Sequence, residues 1–428
     1  MNSFVMAFKS LLYRRKQYLS LFLVCFFGVG ISLFCLFLMD GMLNALEYKA
    51  KIYYGGDLQF IGGRNSLDIS DPKQFKESLK EVFPENVIIS ERYDLDADYA
   101  AFYFEGTGVR QRVIKGINFD TEKTLFSSWN FTEGNAEIET GSNKILISEP
   151  IAQMLEIHAG DSLTFLYRRN SGQINTKELV VQGIFRDSSL FGMYTSYMDF
   201  EVLEKVAGYP LGWCNRIVIF FPDGSPSEKE ILSYQQELEQ KFTMFPLTDN
   251  KQKFYDKLLS WSFDKPTYAL IKLSANLQDV QILIDAMKLI ATFIIVMLVI
   301  IITAGVSSTF RVIVMKRVNE IGIYKAIGMK RFKIAGNLLA ETSLLLITGC
   351  LSGFVLSLGL CSISRLINLS FIPAFDIFLT NGVLVAKISL KYYLIISAVV
   401  FVTTTAAVLF AIRKSVRISP CQALAVTE

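Results

Sequence analysis

The sequence holds one histidine and six cysteines among 428 residues. A histidine-based triad would have to use His158, which precedes Ala159-Gly160-Asp161 near a helix end and suits a capping or surface role instead. No Cys/His spacing for a metal centre exists. No G-x-x-x-x-G-K-(S/T) phosphate loop occurs either, so the chain cannot bind and hydrolyse ATP by that route, and nothing in it marks an enzyme. Cys25, Cys35, Cys350 and Cys361 fall in apolar runs and Cys421 near the C-terminus, which leaves Cys214 alone in the large central region. A single cysteine makes no internal disulfide there, so that region must be held by its core. The net charge of +3 gives no reason to expect nucleic acid. Asp94-x-Asp96-x-Asp98 with Glu105 has the offsets of a calcium loop, but Tyr99 stands where the sharp turn wants glycine. Alternating aspartates on a solvated strand face are the expectation, without a metal.

Charge is also missing from four stretches, 17–39, 289–310, 342–364 and 392–412, each long enough to cross a bilayer as a helix. With 51% hydrophobic residues, this predicts an α-helical membrane protein with four transmembrane helices. Lys9, Arg14, Arg15 and Lys16 precede the first span without an acidic residue, and Arg413, Lys414 and Arg417 follow the last. The positive-inside rule then places both termini and 311–341 in the cytoplasm, and 40–288 and the short loop 365–391 outside. The absence of charge within the spans disfavours ion-coupled transport. The first apolar run is too long for a signal peptide and shows no small-x-small site before Asp40. Bulky Val24 and Phe34 before Cys25 and Cys35 argue against lipidation.

In residues 1–16, Phe4, Phe8, Leu11 and Leu12 recur at helical spacing, which predicts either an interfacial helix or an extension of the first span. The region 40–288 alternates strand and helix signals and is expected to be a mixed α/β domain inserted between the first two spans. The first helix runs on to Gly55-Gly56, Asp71-Pro72 opens a helix to about Phe83, and Ser227-x-x-Glu230 forms a capping box. Strands are expected near 57–61, 87–90, 99–104, 112–117, 144–147, 162–167, 179–185 and 216–221. The polar stretch 130–143 suggests a linker between two lobes, with their boundary near 120–140. From Pro266 onward, Ile271, Leu277, Val280, Ile284 and Met287 recur at helical spacing, which predicts a helical stalk leading into the second span.

Between the second and third spans, Arg311, Lys316, Arg317, Lys325, Lys330, Arg331 and Lys333 face only Glu320 and the boundary residue Glu341. Asn319 is a plausible N-cap for a short helix that Gly328 breaks, and Ile323 and Ile327, with Ile321 and Tyr324 beside them, offer an apolar face. Glu320-Ile321-Gly322-Ile323-Tyr324-Lys325-Ala326-Ile327-Gly328-Met329 resembles the E-I-G-I-x-(R/K)-A-x-G-(A/M) segment of FtsX-like permeases of ABC transporters. Gly349 and Gly353 in the third span, and Pro420-x-x-Ala423-Leu424 in the tail 413–428, resemble the same family. The D-G-M…G-G-D-L-Q-F stretch from Asp40 is similar to the outer-domain start of the LolC/LolE, lipoprotein-releasing branch, within the MacB-like mechanotransmission superfamily.

The resemblance implies a coupling role for Glu320, Ile321, Gly322, Tyr324, Lys325, Ile327, Gly328 and Met329, which would seat on a separate LolD-like ATPase that binds ATP and Mg itself. It also implies helix packing at Gly349 and Gly353, with Gly359, Ser352 and Ser357 on the same face, within this subunit or across a dimer. A second permease subunit, identical or paralogous, membrane lipids, lipoprotein cargo and a periplasmic chaperone are the partners implied. The location implied is the bacterial inner membrane. Peptide, drug or toxin efflux of the MacB type and control of a cell-wall hydrolase of the FtsX type are the other functions within the family. A membrane scaffold without an ATPase is the reading outside it.

Overall fold

The computed structural model describes residues 13, 15–96, 100–126, 129–169, 171–189, 191–210 and 212–415. The N-terminal interfacial helix, apart from its last residues, the tail motif from Pro420 to Leu424, and Asp98 and Tyr99 lie outside the described residues. The backbone forms two compact units: a helical one built from residues up to 43, 283–368 and from 383 on, and a second built from 44–282 and 369–382.

Among the described residues, four helices are long and apolar enough to cross a membrane: Tyr18–Tyr54, Val280–Lys316, Arg331–Ser364 and Leu390–Phe410. In the helical unit, the first of them carries two stripes. Tyr18, Leu21, Cys25, Val29, Leu33 and Phe37 recur every three or four residues and are buried against Ile302, Val306 and Phe310 of the second helix and Leu345, Leu346 and Cys350 of the third. Leu19, Leu23, Phe27 and Ile31 form the other stripe and are exposed. The Thr303 hydroxyl donates to Thr403 Oγ1 at 3.1 Å, joining the second helix to the fourth.

The second unit is built on one mixed sheet. Its strands are β1 (Leu58–Gly63), β2 (Ile88–Asp96), β3 (Ala101–Phe104), β4 (Thr107–Arg110), β5 (Val113–Ile117), β6 (Phe131–Gly134), β7 (Lys144–Ser148), β8 (Ser162–Arg168), β9 (Ile174–Phe185), β10 (Thr195–Asp199), β11 (Arg216–Phe220) and β12 (Thr267–Lys272). They lie in the order β12-β1-β11-β2-β5-β10-β7-β9-β8-β3-β4, with β6 paired to β9. β5 runs parallel to β10 and β7 parallel to β9; the other pairs are antiparallel.

This continuity corrects the two-lobe expectation. The polar stretch 130–143 contributes β6 rather than a linker, because backbone pairing with β9 satisfies groups its side chains cannot. The helical lead into the second span starts later than expected: Ile271 belongs to β12, which pairs with β1 along Leu58–Gly63, and the second long helix begins at Gln278, with Val280, Ile284 and Met287 inside it. A short apolar run reads alike as strand or helix, and here the neighbour with unpaired backbone decided.

Local signals held where a cap carried them. Asp71 accepts from the Gln74 N–H, with Pro72 in the first turn, and the Ser227–Glu230 capping box is complete. The aspartate run does not face solvent throughout. Asp94 is engaged by Lys115 at 2.5 Å and by Arg216 Nη1 at 3.1 Å, inside the sheet. Arg92 is fully buried, with Nε 3.0 Å from Glu122 Oε1 and Nη1 donating to the Ile52 carbonyl at 2.8 Å.

Glu204, in the helix Phe200–Ala207, is buried, and burial pushes its carboxyl up to about 7 although backbone N–H groups of Gly212 and Trp213 oppose this. A carboxyl whose folded pKa is raised adds stability that is present below about 4.5 and is lost as pH rises through about 7. Glu204→Gln is therefore expected to raise stability at pH 8 by about 2 kcal/mol and to flatten its fall between pH 5 and 7. Thermal unfolding of both proteins across that range checks this. An unchanged slope in the variant would remove Glu204 as the cause.

Candidate functional site

The site is the elbow between the second and third long helices. The second helix ends at Lys316, a short helix spans Val318–Ala326, and the third begins at Arg331. The short helix closes as the glycine dictates: the Met329 N–H donates to the Tyr324 carbonyl at 2.9 Å and the Gly328 N–H to the Lys325 carbonyl at 2.9 Å. Gly328 sits at φ +85°, where a side chain would be strained. The start differs from the sequence expectation. Arg317, not Asn319, occupies the cap position, and Asn319 is exposed.

Arg317 takes that place because its guanidinium is held from three sides. Nε lies 3.1 Å from Glu320 Oε2, one turn into the short helix. Nη1 donates to the Tyr18 hydroxyl at 3.0 Å and to Glu341 Oε2, and the Tyr18 hydroxyl donates to that same carboxylate oxygen at 2.6 Å. Arg317 and Glu341 are 6% and 4% exposed, so this network joins the first helix, the elbow and the third helix in a desolvated place. Sequence reasoning treated Glu341 as a boundary residue and missed Tyr18 altogether. A lone carboxylate at the start of an apolar run was the available signal, since such a group needs a partner.

The expected coupling residues divide between two faces rather than sharing one. Ile321 and Gly322 are buried, and Tyr324 and Met329 pack against the helical core. Lys325 is half-buried, and burial together with nearby Arg331 holds its ammonium below the usual lysine range. Ile323, Ile327 and Phe332 point outward, the last two 78% and 92% exposed, and Lys330, Arg331 and Lys333, which flank Phe332, are exposed as well. Glu320 lies between the faces and ties the helix to Arg317. The elbow thus presents an apolar patch with a basic rim on a base fixed by buried ion pairs.

Two further features lie in the same unit. Gly349 faces Cys25, and Gly353 lies against the backbone of Phe26 and Gly30, so the first and third helices approach closely. Gly359 meets open space and does not belong to that face. Between the first and second helices, Leu19, Leu23, Phe27 and Ile31 together with Leu298 and Ile301 line an apolar groove of about 620 Å³, with Lys16 also on its wall.

No curated protein matches the chain. Residues 292–420 match the family model described as FtsX-like permease C-terminal, and this stretch takes in most of the second long helix, the elbow and the last two long helices. FtsX-like permeases are transmembrane subunits that work with an ABC ATPase, and the match over residues 292–420 supports a permease subunit of that kind.

Proposed function

We propose that the chain couples ATP hydrolysis by a partner ATPase to movement of its sheet domain, with the elbow as the ATPase seat, and that its cargo is a lipid-anchored protein released from the inner membrane to a chaperone. The observation that carries the coupling reading is the exposed patch of Ile323, Ile327 and Phe332 within a basic rim, on a base locked by Arg317. A short helix of this length is marginal alone and can transmit force only when such a base holds it. In this reading the elbow and both termini face the cytoplasm, the sheet domain lies outside, and Glu320, Ile321, Gly322, Tyr324, Lys325, Ile327, Gly328 and Met329 act in coupling. Gly349 and Gly353 keep the first and third helices in contact while they move.

The cargo reading is favoured by the groove between the first two helices. Apart from Lys16 and Ser20 its walls are apolar, it carries no carboxylate, and its volume suits acyl chains. A second permease copy or a paralogue would close it from the open side.

The test is affinity purification of the full chain from native membranes in mild detergent, with mass spectrometry of what accompanies it. Wild type is expected to bring a Walker-motif ATPase and acylated proteins. Ile327→Asp combined with Phe332→Asp, at exposed positions that leave folding intact, is expected to lose the ATPase at least tenfold, because it removes both apolar anchors and puts two carboxylates where the seat would desolvate them. Phe27→Glu is expected to lose the acylated proteins and keep the ATPase. An ATPase retained by the double variant would sink the seat, and peptides or drugs in place of acylated proteins would favour efflux.

A further inference from the structure

The sheet domain holds a cavity of about 470 Å³ that coupling does not use. Its walls come from the end of the first long helix, from Trp129 and Asn130, from the chain that follows β9, and from Leu379 to Asn381. Aromatic rings make up much of them. The Tyr53 and Phe191 rings lie 5.3 Å apart, and Trp129 lies 4.6 Å from Phe185 and 5.1 Å from Tyr197. Size and walls are those of a small-molecule site, with a few polar groups that can fix orientation.

The charged groups on the wall are occupied by one another. The three N–H bonds of the Lys49 ammonium meet three acceptors: the Asp376 carbonyl at 2.7 Å, Asp376 Oδ2 at 2.9 Å and Asp187 Oδ1 at 3.4 Å. Asp187 Oδ1 also accepts the Ser189 N–H at 2.9 Å, and Asp376 Oδ2 the Ser188 N–H at 3.0 Å. Arg186 donates to the Ser370 hydroxyl and lies 3.8 Å from Glu149. An ion that entered would have to break one of these contacts or give up its hydration without gaining a counter-charge. The neutral polar groups are placed differently. Asn130, Thr380 and Asn381 line the cavity and are exposed, and their side chains hydrogen-bond to no other described residue.

We propose that this cavity binds a small neutral amphipath, its apolar ring body on Trp129, Phe185 and Phe191 and its hydroxyl or amide head on the Asn130, Thr380 and Asn381 side chains. Such a head both donates and accepts, as those three side chains do, and it leaves the ion pairs intact. An ammonium or a carboxylate of the same shape loses more water than these walls return. The site lies entirely within the sheet domain and stands whether or not the elbow seats an ATPase.

The test uses the full chain in zwitterionic-lipid nanodiscs and saturation-transfer NMR with 4-phenylbutanol, 4-phenylbutylamine and 4-phenylbutyrate. Thr380→Trp, at an exposed wall position, fills the space, so the signal that wild type gives above this variant belongs to the cavity and leaves out whatever dissolves in the lipid. That difference is expected to be at least five times larger for the alcohol than for the amine or the carboxylate. Asn130→Trp, at a second exposed wall position, should give the same differences, and it decides the matter if Thr380→Trp fails to fold. A difference for the amine or the carboxylate as large as that for the alcohol, or no difference for any of the three, would overturn the proposal.

Discussion

Arg317→Ala is expected to destabilise the helical unit by about 3–5 kcal/mol and, on the coupling role proposed for the elbow, to abolish ATPase co-purification. The size follows from what is left behind. Glu341 is buried and would keep only the Tyr18 hydroxyl, while Glu320 would lose the contact that holds the first turn of Val318–Ala326. Removing one partner of a desolvated charge pair costs far more than the pair contributes net, because the survivor remains out of water. Arg317→Lys should recover only part of the loss, since an ammonium lacks the planar fork that reaches Glu320 through Nε and Tyr18 and Glu341 through Nη1. Arg317→Met with Glu341→Leu should recover the stability but not the ATPase, because no charge then fixes Glu320. Thermal unfolding in detergent, alongside ATPase co-purification, separates the two effects. If the double variant kept the ATPase at the wild-type level, the network would be a packing device and not a base for coupling.

That network shows where the sequence stops being readable. The spans were legible because roughly 20 uncharged residues in a row have few other uses. The short helix and its stop were legible because Gly328 supplies the positive φ that the closing turn needs. Its start was not. Asn319 has the better capping chemistry, but Arg317 is drawn back by partners 24 and 299 residues away, and no local preference of about 1 kcal/mol competes with a buried carboxylate. The faces of the short helix are only partly legible for a related reason: Ile323 and Ile327 are exposed as expected, whereas Ile321 and Tyr324 are covered. Ile321, Ile323, Tyr324 and Ile327 look alike as apolar residues, and only the neighbouring helices decide which are covered. In the sheet, β12 was lost to an apolar run whose spacing fits a helix equally well, and the single sheet was lost because parallel pairing of β5 with β10 joins segments about 80 residues apart. The ion pairs around Lys49 were hidden likewise: Lys49, Asp187 and Asp376 are scattered along the chain and meet only in the fold.

Gly353→Leu is expected to part the first and third long helices and to prevent accumulation of folded protein. A Cβ at this position would lie 3.0 Å from the Gly30 nitrogen, 3.0 Å from the Phe26 carbonyl oxygen and 3.1 Å from Val29 Cβ. Two of these three neighbours are backbone atoms of a regular helix, which cannot swing aside as a side chain can. Alanine therefore requires the helices to give by a few tenths of an ångström, at a cost of about 1–3 kcal/mol, and leucine requires them to separate. The approach is mutual: a Cβ on Gly30 would meet Leu356 Cδ2 at 2.7 Å and the Gly353 carbonyl oxygen at 3.0 Å, so relaxing one side does not free the other. Gly359→Leu is the control, since that glycine meets open space six residues further along the same helix. It should leave the unfolding temperature unchanged within a degree or two while adding the same bulk and helix propensity. Because Gly353 sits on the helix that begins at the elbow, separation there would also displace Glu341, at 12 residues' distance on that helix, from Arg317 and Tyr18. Gly353→Ala should then lower ATPase co-purification together with stability, whereas an alanine variant with full stability and full ATPase binding would show that close approach of these helices is not needed for either.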